Sequence, residues 1–408
     1  MRESYDIVVG GSGLVGSIMA LCLADSGFKV AKIDKEEKVV QESADFDGRA
    51  YALSVSTVKM LSSLKVWNKV AKKAERILEI KVTDGVAGFG ASPLYMHFDY
   101  REMEEGPLGF MVEDRFLRKS VAEQVKAQPL ITEFFESMIV NHERSSGYLD
   151  IELDTGKFLT TKLLIGADGR NSNIVVNTGI KRTTYKYEQT SLVCAVSHEK
   201  PHLGEAHQFF MPSGPIAILP LPGQRSSIVW TVDYKLGQKV KALDDTNFLN
   251  ELKFRFGDFR GKIGLEGKRY SFPLKLSYTH DIALNRVALV GDAAHSFHPI
   301  AGQGLNLGMR DVASLAETII EAHRRGEDFG SDVVLERYKC WRAADRVSLG
   351  GVTHFVNKIF SNDSLALRVL RDVGLATINK NAYLKRALVA EASGLFGEIP
   401  DLMLGKRL

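Results

Sequence analysis

The feature that most constrains this chain lies at its start, where the apolar run Tyr5–Val9 passes directly into Gly-Gly-Ser-Gly-Leu-Val-Gly at Gly10–Gly16. Helical periodicity then runs from about Leu14 to Ser26 and stops at Gly27, and a second apolar run occupies Lys29–Asp34. A strand, glycine turn, helix and strand in about 30 residues form the opening of a nucleotide-binding domain. Within the turn, Gly11 permits the tight bend, Gly13 lets backbone approach a pyrophosphate, and Gly16 allows close helix–strand packing. Leu14 and Val15 open the helix, whose unpaired N–H groups and partial positive charge suit phosphate. Asp34 lies 21 residues beyond Gly13, with Lys35 beside it, where a carboxylate can accept bonds from ribose hydroxyls. A glycine turn with an unrelated surface acid is the competing explanation, and the strand–turn–helix–strand context disfavours it.

The chain has 408 residues, enough for two or three packed units. A formal charge of +3 spread over such a length is far from that of a nucleic-acid binder, so no nucleic-acid partner is expected. Three cysteines, Cys22, Cys194 and Cys340, make no disulfide framework and match no metal-site spacing. A cytoplasmic protein without a bound metal is the expectation. No signal peptide opens the sequence and no apolar run approaches the roughly 20 residues needed to cross a bilayer.

The remaining pattern is discontinuous. Residues 1–75, 105–180 and 281–330 carry strand, helix and glycine-turn signals of the nucleotide-binding kind. Residues 76–104 and 181–280 read as strands separated by Pro/Gly turns, an antiparallel sheet inserted into the first unit. Residues 331–408 read as mostly helical. The fold class expected is α/β: a Rossmann-like, glutathione-reductase-like dinucleotide domain with an inserted antiparallel substrate sheet and a helical C-terminal segment.

Two further glycine turns follow apolar strands. The first is Leu163–Ser172, with Asp168 and Gly169; the second begins at Gly291-Asp292 after Arg286–Val290. Asp292 can accept from a sugar-alcohol hydroxyl, and Gly302-Gln303-Gly304 starts a helix carrying Leu305 and Asn306. Amides at that helix start could face an electron-rich ring.

The run His298–Asp311 resembles the signature of the ubiquinone-biosynthesis hydroxylases, a family of FAD-dependent aromatic monooxygenases similar to 4-hydroxybenzoate hydroxylase. His298, Pro299, Gly302, Gln303, Gly304, Asn306, Gly308 and Asp311 match it, and so do Gly48–Ser54, Leu108–Val121 and Gly214–Gly223. The resemblance implies FAD in an extended pose, with the pyrophosphate on Gly11–Gly16 and the adenosine ribose on Asp34. It places Arg49 and Arg115 on the ribityl–phosphate side, Asp292 at the ribityl chain or phosphates, and the amides of Gly302–Asn306 near the isoalloxazine. Asp168 and Gly169 would serve both FAD and the nicotinamide donor. Two positions depart from the family: Asp34 stands where glutamate is usual, and Val175 or Val176 where the Asp168–Gly169 motif usually ends in arginine.

The same resemblance implies that NAD(P)H reduces FAD, that O2 is trapped as a flavin hydroperoxide, and that its distal oxygen attacks a phenolic ring. Backbone groups of Pro299, Gly302, Gln303 and Gly304 are the catalytic candidates. His295 and His298 invite a general-base role, but their glycine, proline and strand-end neighbours favour structural hydrogen bonding. Phe209, Phe210, Pro220 and Trp230 could line a substrate pocket, although strand aromatics are more often plain core. A prenylated phenol is the implied substrate. Asn362–Ile378, with Arg368 and Arg371, has the character of a basic amphipathic helix, so peripheral contact with the inner face of a membrane stands beside ordinary packing as its role. A quinone-biosynthesis assembly is a further implied partner. Rival readings are a hydroxylase of small soluble phenols, a non-catalytic flavin-binding subunit and a purely NAD-dependent dehydrogenase.

Overall fold

The computed structural model of the chain describes residues 3–37, 46–88, 90–102, 106–211, 214–296, 304–343, 379, 381, 385–386, 388–390 and 393–408. The expectations for His298, Pro299, Gly302, Gln303 and Asn362–Ile378 lie outside these residues.

The opening run forms β1 (Glu3–Gly10), α1 (Leu14–Asp25) and β2 (Val30–Ile33). Ile7, Val8 and Val9 have no exposed surface, as expected of a strand covered on both faces in a parallel sheet. Nearly every residue of α1 is buried as well, because the helix lies between this sheet and the long helix Gly304–Arg324.

The first sheet has eight strands: six run in the order Ala283–Leu284, Val287–Leu289, Phe158–Gly166, β1, β2, Ile131–Phe134, parallel from Val287–Leu289 onward, and the antiparallel strands Tyr148–Leu153 and Ile139–Ser145 branch from Phe158–Gly166. Its register decides where chemistry can occur. Gly10 stands opposite both Gly166 and Ile33, and Gly166 opposite Leu289. Four strands therefore end level, and within three residues each reaches one of the residues singled out above: Gly11, Asp34, Asp168 or Asp292. The crevice beyond the carboxyl ends of parallel strands is where open α/β sheets bind ligands.

A second eight-stranded sheet has the order His295–Ser296, Ile263–Thr279, Arg182–His198, Arg225–Asp233, Ile216–Leu221, Glu205–Phe210, Glu79–Val86, Gly90–Asp99. It is antiparallel except where Glu205–Phe210 pairs with Glu79–Val86. One face packs under the helices Tyr234–Lys241 and Asp245–Phe256 through Trp230, Ile228 and Phe248. The other meets the three-stranded sheet Ala50–Leu53, Gly109–Glu113, Glu75–Ile77 through Leu221, Ala195 and Met111.

Within residues 1–75 the segment Ala50–Leu53 is a strand, paired with Gly109–Glu113. One local expectation changes. The two helices at 234–256 interrupt a stretch read as all strand. Their signals were present: Leu236 and Val240 at helical spacing, and Asp244 accepting from the Asn247 amide at 2.8 Å as an N-cap.

Candidate functional site

The first turn works through missing side chains. Gly11 has φ +103°, and a Cβ there would stand 2.4 Å from the Ala167 carbonyl oxygen. A Cβ on Gly16 would stand 1.9 Å from the Gly11 oxygen, so α1 could not approach its own turn. At Gly13 no atom of the described residues would lie within 4 Å of a Cβ. Gly13 is also the N-cap of α1, which has no side-chain cap and no acid in its first turn. Open space beside uncapped helix amides is what a pyrophosphate requires.

Asp34 closes over this turn by accepting the Ser12 amide, and its other oxygen accepts from the Glu36 amide at 2.9 Å. Beneath the turn, Lys32 is 3% exposed, bonds Glu133 at 2.7 Å and donates to Ser17 Oγ at 3.2 Å. Ser17 in turn donates to the Ser12 carbonyl at 3.0 Å. The charge of Lys32 is thereby paired in the core while its hydrogen bonds brace the loop.

A cavity of about 270 Å³ opens at the level strand ends and gathers Gly11, Gly13, Asp34, Lys35, Asp168 and Gly169. Asp168 Oδ2 accepts from the Ile174 amide at 3.3 Å, whereas its buried Oδ1 has no hydrogen-bond partner among the described residues. Burial raises the Asp168 carboxyl above its usual range against the bonds from Ser172 and Ile174. An unmet buried acceptor beside an open glycine cradle fits a polyhydroxylated, phosphate-bearing ligand such as FAD. Arg118 also lines the cavity. The sequence reading stopped at Arg115; the missed signal is the four-residue spacing from Asp114, which Arg118 meets at 2.8 Å.

Arg49 and Arg115 are held ready from the side of the three-stranded sheet. Arg49 bonds Asp47 at 2.7 Å and Asp114 at 3.2 Å, leaving 39% of its side chain exposed. Asp114 also accepts from the Tyr51 hydroxyl at 2.7 Å. Burial, then the charge of Asp114, holds that phenol above its ordinary range. Arg115 bonds Glu113 at 2.7 Å, and Arg225 of the second sheet bonds the same fully buried carboxylate at 2.6 Å. Phe46 lies beneath both guanidinium groups, 5.3 and 5.2 Å from them.

The third turn reaches the first by direct packing. Cβ atoms on Gly291 (φ +60°) and Gly308 would stand 3.2 and 3.1 Å from Val15, so two bare positions admit one α1 side chain. The two aspartates of this region have opposite settings. Asp292 is 40% exposed and accepts from Arg170 at 3.0 Å. Asp311 is fully buried, accepting from the Gly291 amide at 2.9 Å and pairing with Arg342 at 2.7 Å and His295 at 3.1 Å. Burial pushes its carboxyl up, but His295 and Arg342 outweigh that and bring it down to about 2. His295 is therefore a core partner. Asn306 is a staple too: its Oδ1 accepts from the Ser54 amide and the Thr57 hydroxyl, both at 2.9 Å, and its Nδ2 donates to the Ala52 carbonyl. It ties the start of the long helix to Gly48–Ser54, with Leu305 half-buried and Gly304 exposed beside it.

The substrate candidates separate. Trp230 has no exposed surface and packs in the helix-covered core, with Arg255 4.9 Å over its ring. Pro220 alternates with Ile216 and Ile218 onto that same face. Phe209 also packs against that core, which turns Phe210 to the opposite face. The expectation that Trp230 and Pro220 line the pocket is therefore corrected: strand register puts them behind the sheet. Among the described residues Glu79, His97 and Asp99 have the ligand count for a cation, but Lys81 and Arg101 already neutralise the two carboxylates.

Comparison with known proteins gives the same answer. Residues 4–345 match the family model described as FAD binding domain. The chain is 37% identical to the ubiquinone hydroxylase UbiL of Rhodospirillum rubrum, over 98% of this chain and 92% of that one. It is 31% identical to the 3-demethoxyubiquinol 3-hydroxylase of Escherichia coli, over 97% and 100%. Among solved structures, the p-nitrophenol 4-monooxygenase PnpA of Pseudomonas putida shares the fold with a TM-score of 0.79 at 18% identity, over 97% of this chain and all of that one. No helix among the described residues is long and apolar enough to cross a membrane. The chain belongs to the FAD-binding-domain family of flavoprotein monooxygenases, whose members include the ubiquinone-biosynthesis hydroxylases it resembles.

Proposed function

We propose that this protein uses FAD, NAD(P)H and O2 to hydroxylate the aromatic ring of a prenylated phenol on the route to ubiquinone. The observation that carries the reading is the level ending of four strands, with Gly11, Asp34, Asp168 and Asp292 just beyond. Residues 1–75, 105–180 and 281–330 then form the FAD unit, 76–104 and 181–280 the substrate sheet, and 331–408 a C-terminal segment.

The chemistry supplied by FAD when bound is acceptance of hydride from NAD(P)H and activation of O2. The chain's own residues bind and orient. Uncapped amides at Gly13–Gly16 hold the pyrophosphate, and Lys35 and Arg118 add charge at that end of the cavity. Asp34 takes the adenosine ribose, and Asp168, Gly169 and Asp292 take hydroxyls of the polyol and of the nicotinamide donor. Arg49 and Arg115 face the ribityl–phosphate stretch. On the resemblance of His298–Asp311 to the family signature, the backbone of Pro299 and Gly302–Asn306 is assigned to the redox ring, where helix-start amides would favour developing negative charge. Phe210 and the apolar face around Met111 and Leu221 exclude water from the phenol. Contact with a membrane surface or a quinone-biosynthesis assembly belongs to the same proposal, since a prenyl tail is insoluble in water.

The test is purified yellow protein given NAD(P)H, 18O-labelled O2 and either a prenylated or a short-chain phenol. Product carrying one labelled ring oxygen, formed faster from the prenylated phenol, supports the reading. Preference for the short phenol favours a hydroxylase of soluble phenols. No phenol-stimulated NAD(P)H oxidation with either substrate overturns catalysis and leaves a flavin-binding subunit.

A further inference from the structure

Arg182 opens the strand Arg182–His198 and belongs to the second sheet, yet its guanidinium works at the strand ends of the first. One arm donates to the Arg170 carbonyl in the turn that follows Asp168, and the other to the Ala293 carbonyl directly after Asp292. The positive charge acts on both aspartates, and its buried Nε has no hydrogen-bond partner among the described residues. A single side chain thus spans the two carboxylate-bearing turns.

A second bridge crosses the same gap, from Arg170 to Asp292 at 3.0 Å, but with 61% and 40% of the side chains exposed it contributes little. The positions where the family motif ends in arginine supply no charge here: Val175 is buried, and Val176 is 76% exposed. Beside the exposed Arg170, a second cation reaches this junction from the neighbouring sheet.

We propose that Arg182 is a positioning residue for FAD, clamping the Asp168 turn to the Asp292 turn and so setting the gap between the carboxylates that receive the cofactor's hydroxyls. The inference rests on the cofactor placement proposed above. A planar guanidinium can reach two carbonyls in different directions, whereas a lysine ammonium keeps the charge but not the fork. Burial lowers the basicity of Arg182, and Asp168 and Asp292 act in the opposite direction.

The experiment compares wild type, Arg182→Gln, Arg182→Lys and Asp292→Asn. It measures the FAD dissociation constant by fluorescence on reconstitution, the visible spectrum of bound flavin, and the melting temperature. Arg182→Gln is expected to raise the dissociation constant about tenfold and shift the flavin bands, and Arg182→Lys about threefold with a smaller shift. Wild-type affinity and spectrum in both Arg182 variants, with weakened binding in Asp292→Asn, overturn the clamp alone. Wild-type affinity in Asp292→Asn overturns the cofactor placement itself. Should Arg182→Gln fail to fold, Arg182→Lys alone decides: wild-type affinity and spectrum overturn the clamp.

Discussion

The strand-end edge of the parallel sheet and the antiparallel sheet beside it are specified in different ways. At the edge, backbone does the work: Gly11, Gly13 and Gly16 act by lacking a Cβ, and level register aligns the turns. In the antiparallel sheet side chains do it, and each residue's role depends on which face it occupies. Trp230 behind that sheet and Phe210 on the other side differ in this respect although both are buried strand aromatics. At Gly11 and Gly16 the backbone leaves no room for a Cβ, whereas the role of a residue in the antiparallel sheet changes with register.

The comparison can be broken by substitutions, starting with the largest effect. Asp311→Ala leaves Arg342 and the Gly291 amide without their buried acceptor, so chemical denaturation is expected to show a loss of about 3–5 kcal/mol. A loss under about 1 kcal/mol would mean that the buried cluster does not support the edge. The pH dependence has a definite sign. Because the folded carboxyl lies below its unfolded value, the Asp311 contribution is complete above about pH 4 and fades as pH falls toward about 2. Acid unfolding of the wild type should show that added slope, and Asp311→Ala should lack it.

Gly11→Ala comes next, with FAD affinity expected to drop at least about a hundredfold, since the new methyl meets the Ala167 carbonyl. Gly27→Ala is the matched control: φ is +94°, but nothing lies within 4 Å, so backbone strain of about 1 kcal/mol should appear in stability and not in FAD binding. Equal FAD affinity in the two variants would break the backbone-coded description.

Glu113→Gln sharpens the seam between the regions, because Arg115 and Arg225 share that buried carboxylate. A destabilisation of about 2–3 kcal/mol with several-fold weaker FAD binding is expected from denaturation and fluorescence titration. Stability loss without any change in FAD binding would remove Arg115 from the site. The smallest effect concerns the faces. Trp230→Phe should cost about 1–2 kcal/mol and leave the KM for the phenol unchanged, while Phe210→Ala should raise that KM several-fold. The reverse pattern in steady-state kinetics would show that the faces are assigned backwards.

Much of the first region was legible because its determinants are local. A strand followed by Gly11-Ser12-Gly13 and an acid at the end of the next strand needs only about 30 residues to declare itself. The same locality exposed Asp168 and Asp292, each just after an apolar run. His295 was legible as structural from its neighbours, and its partner Asp311 lies 16 residues along the chain on the long helix. Arg118 carries a weaker local signal than Arg115, only its four-residue spacing from Asp114 on the helix Asp114–Ala127. Arg182 gave no local signal at all, because its two acceptors lie 12 and 111 residues away.

The amino-acid order by itself determined the glycine turns, the helix that opens on uncapped amides, and the acids that follow each strand. Backbone freedom and helix initiation depend on neighbours in the chain. Tertiary structure alone decided that four strands end level, that Asp311 is buried in an ion cluster while Asp292 stays half-open, and that Trp230 and Pro220 turn to the helix-covered face of the antiparallel sheet. Those outcomes follow from strand pairing and charge burial between residues remote in sequence, where a shift of one residue would exchange the faces of a whole strand.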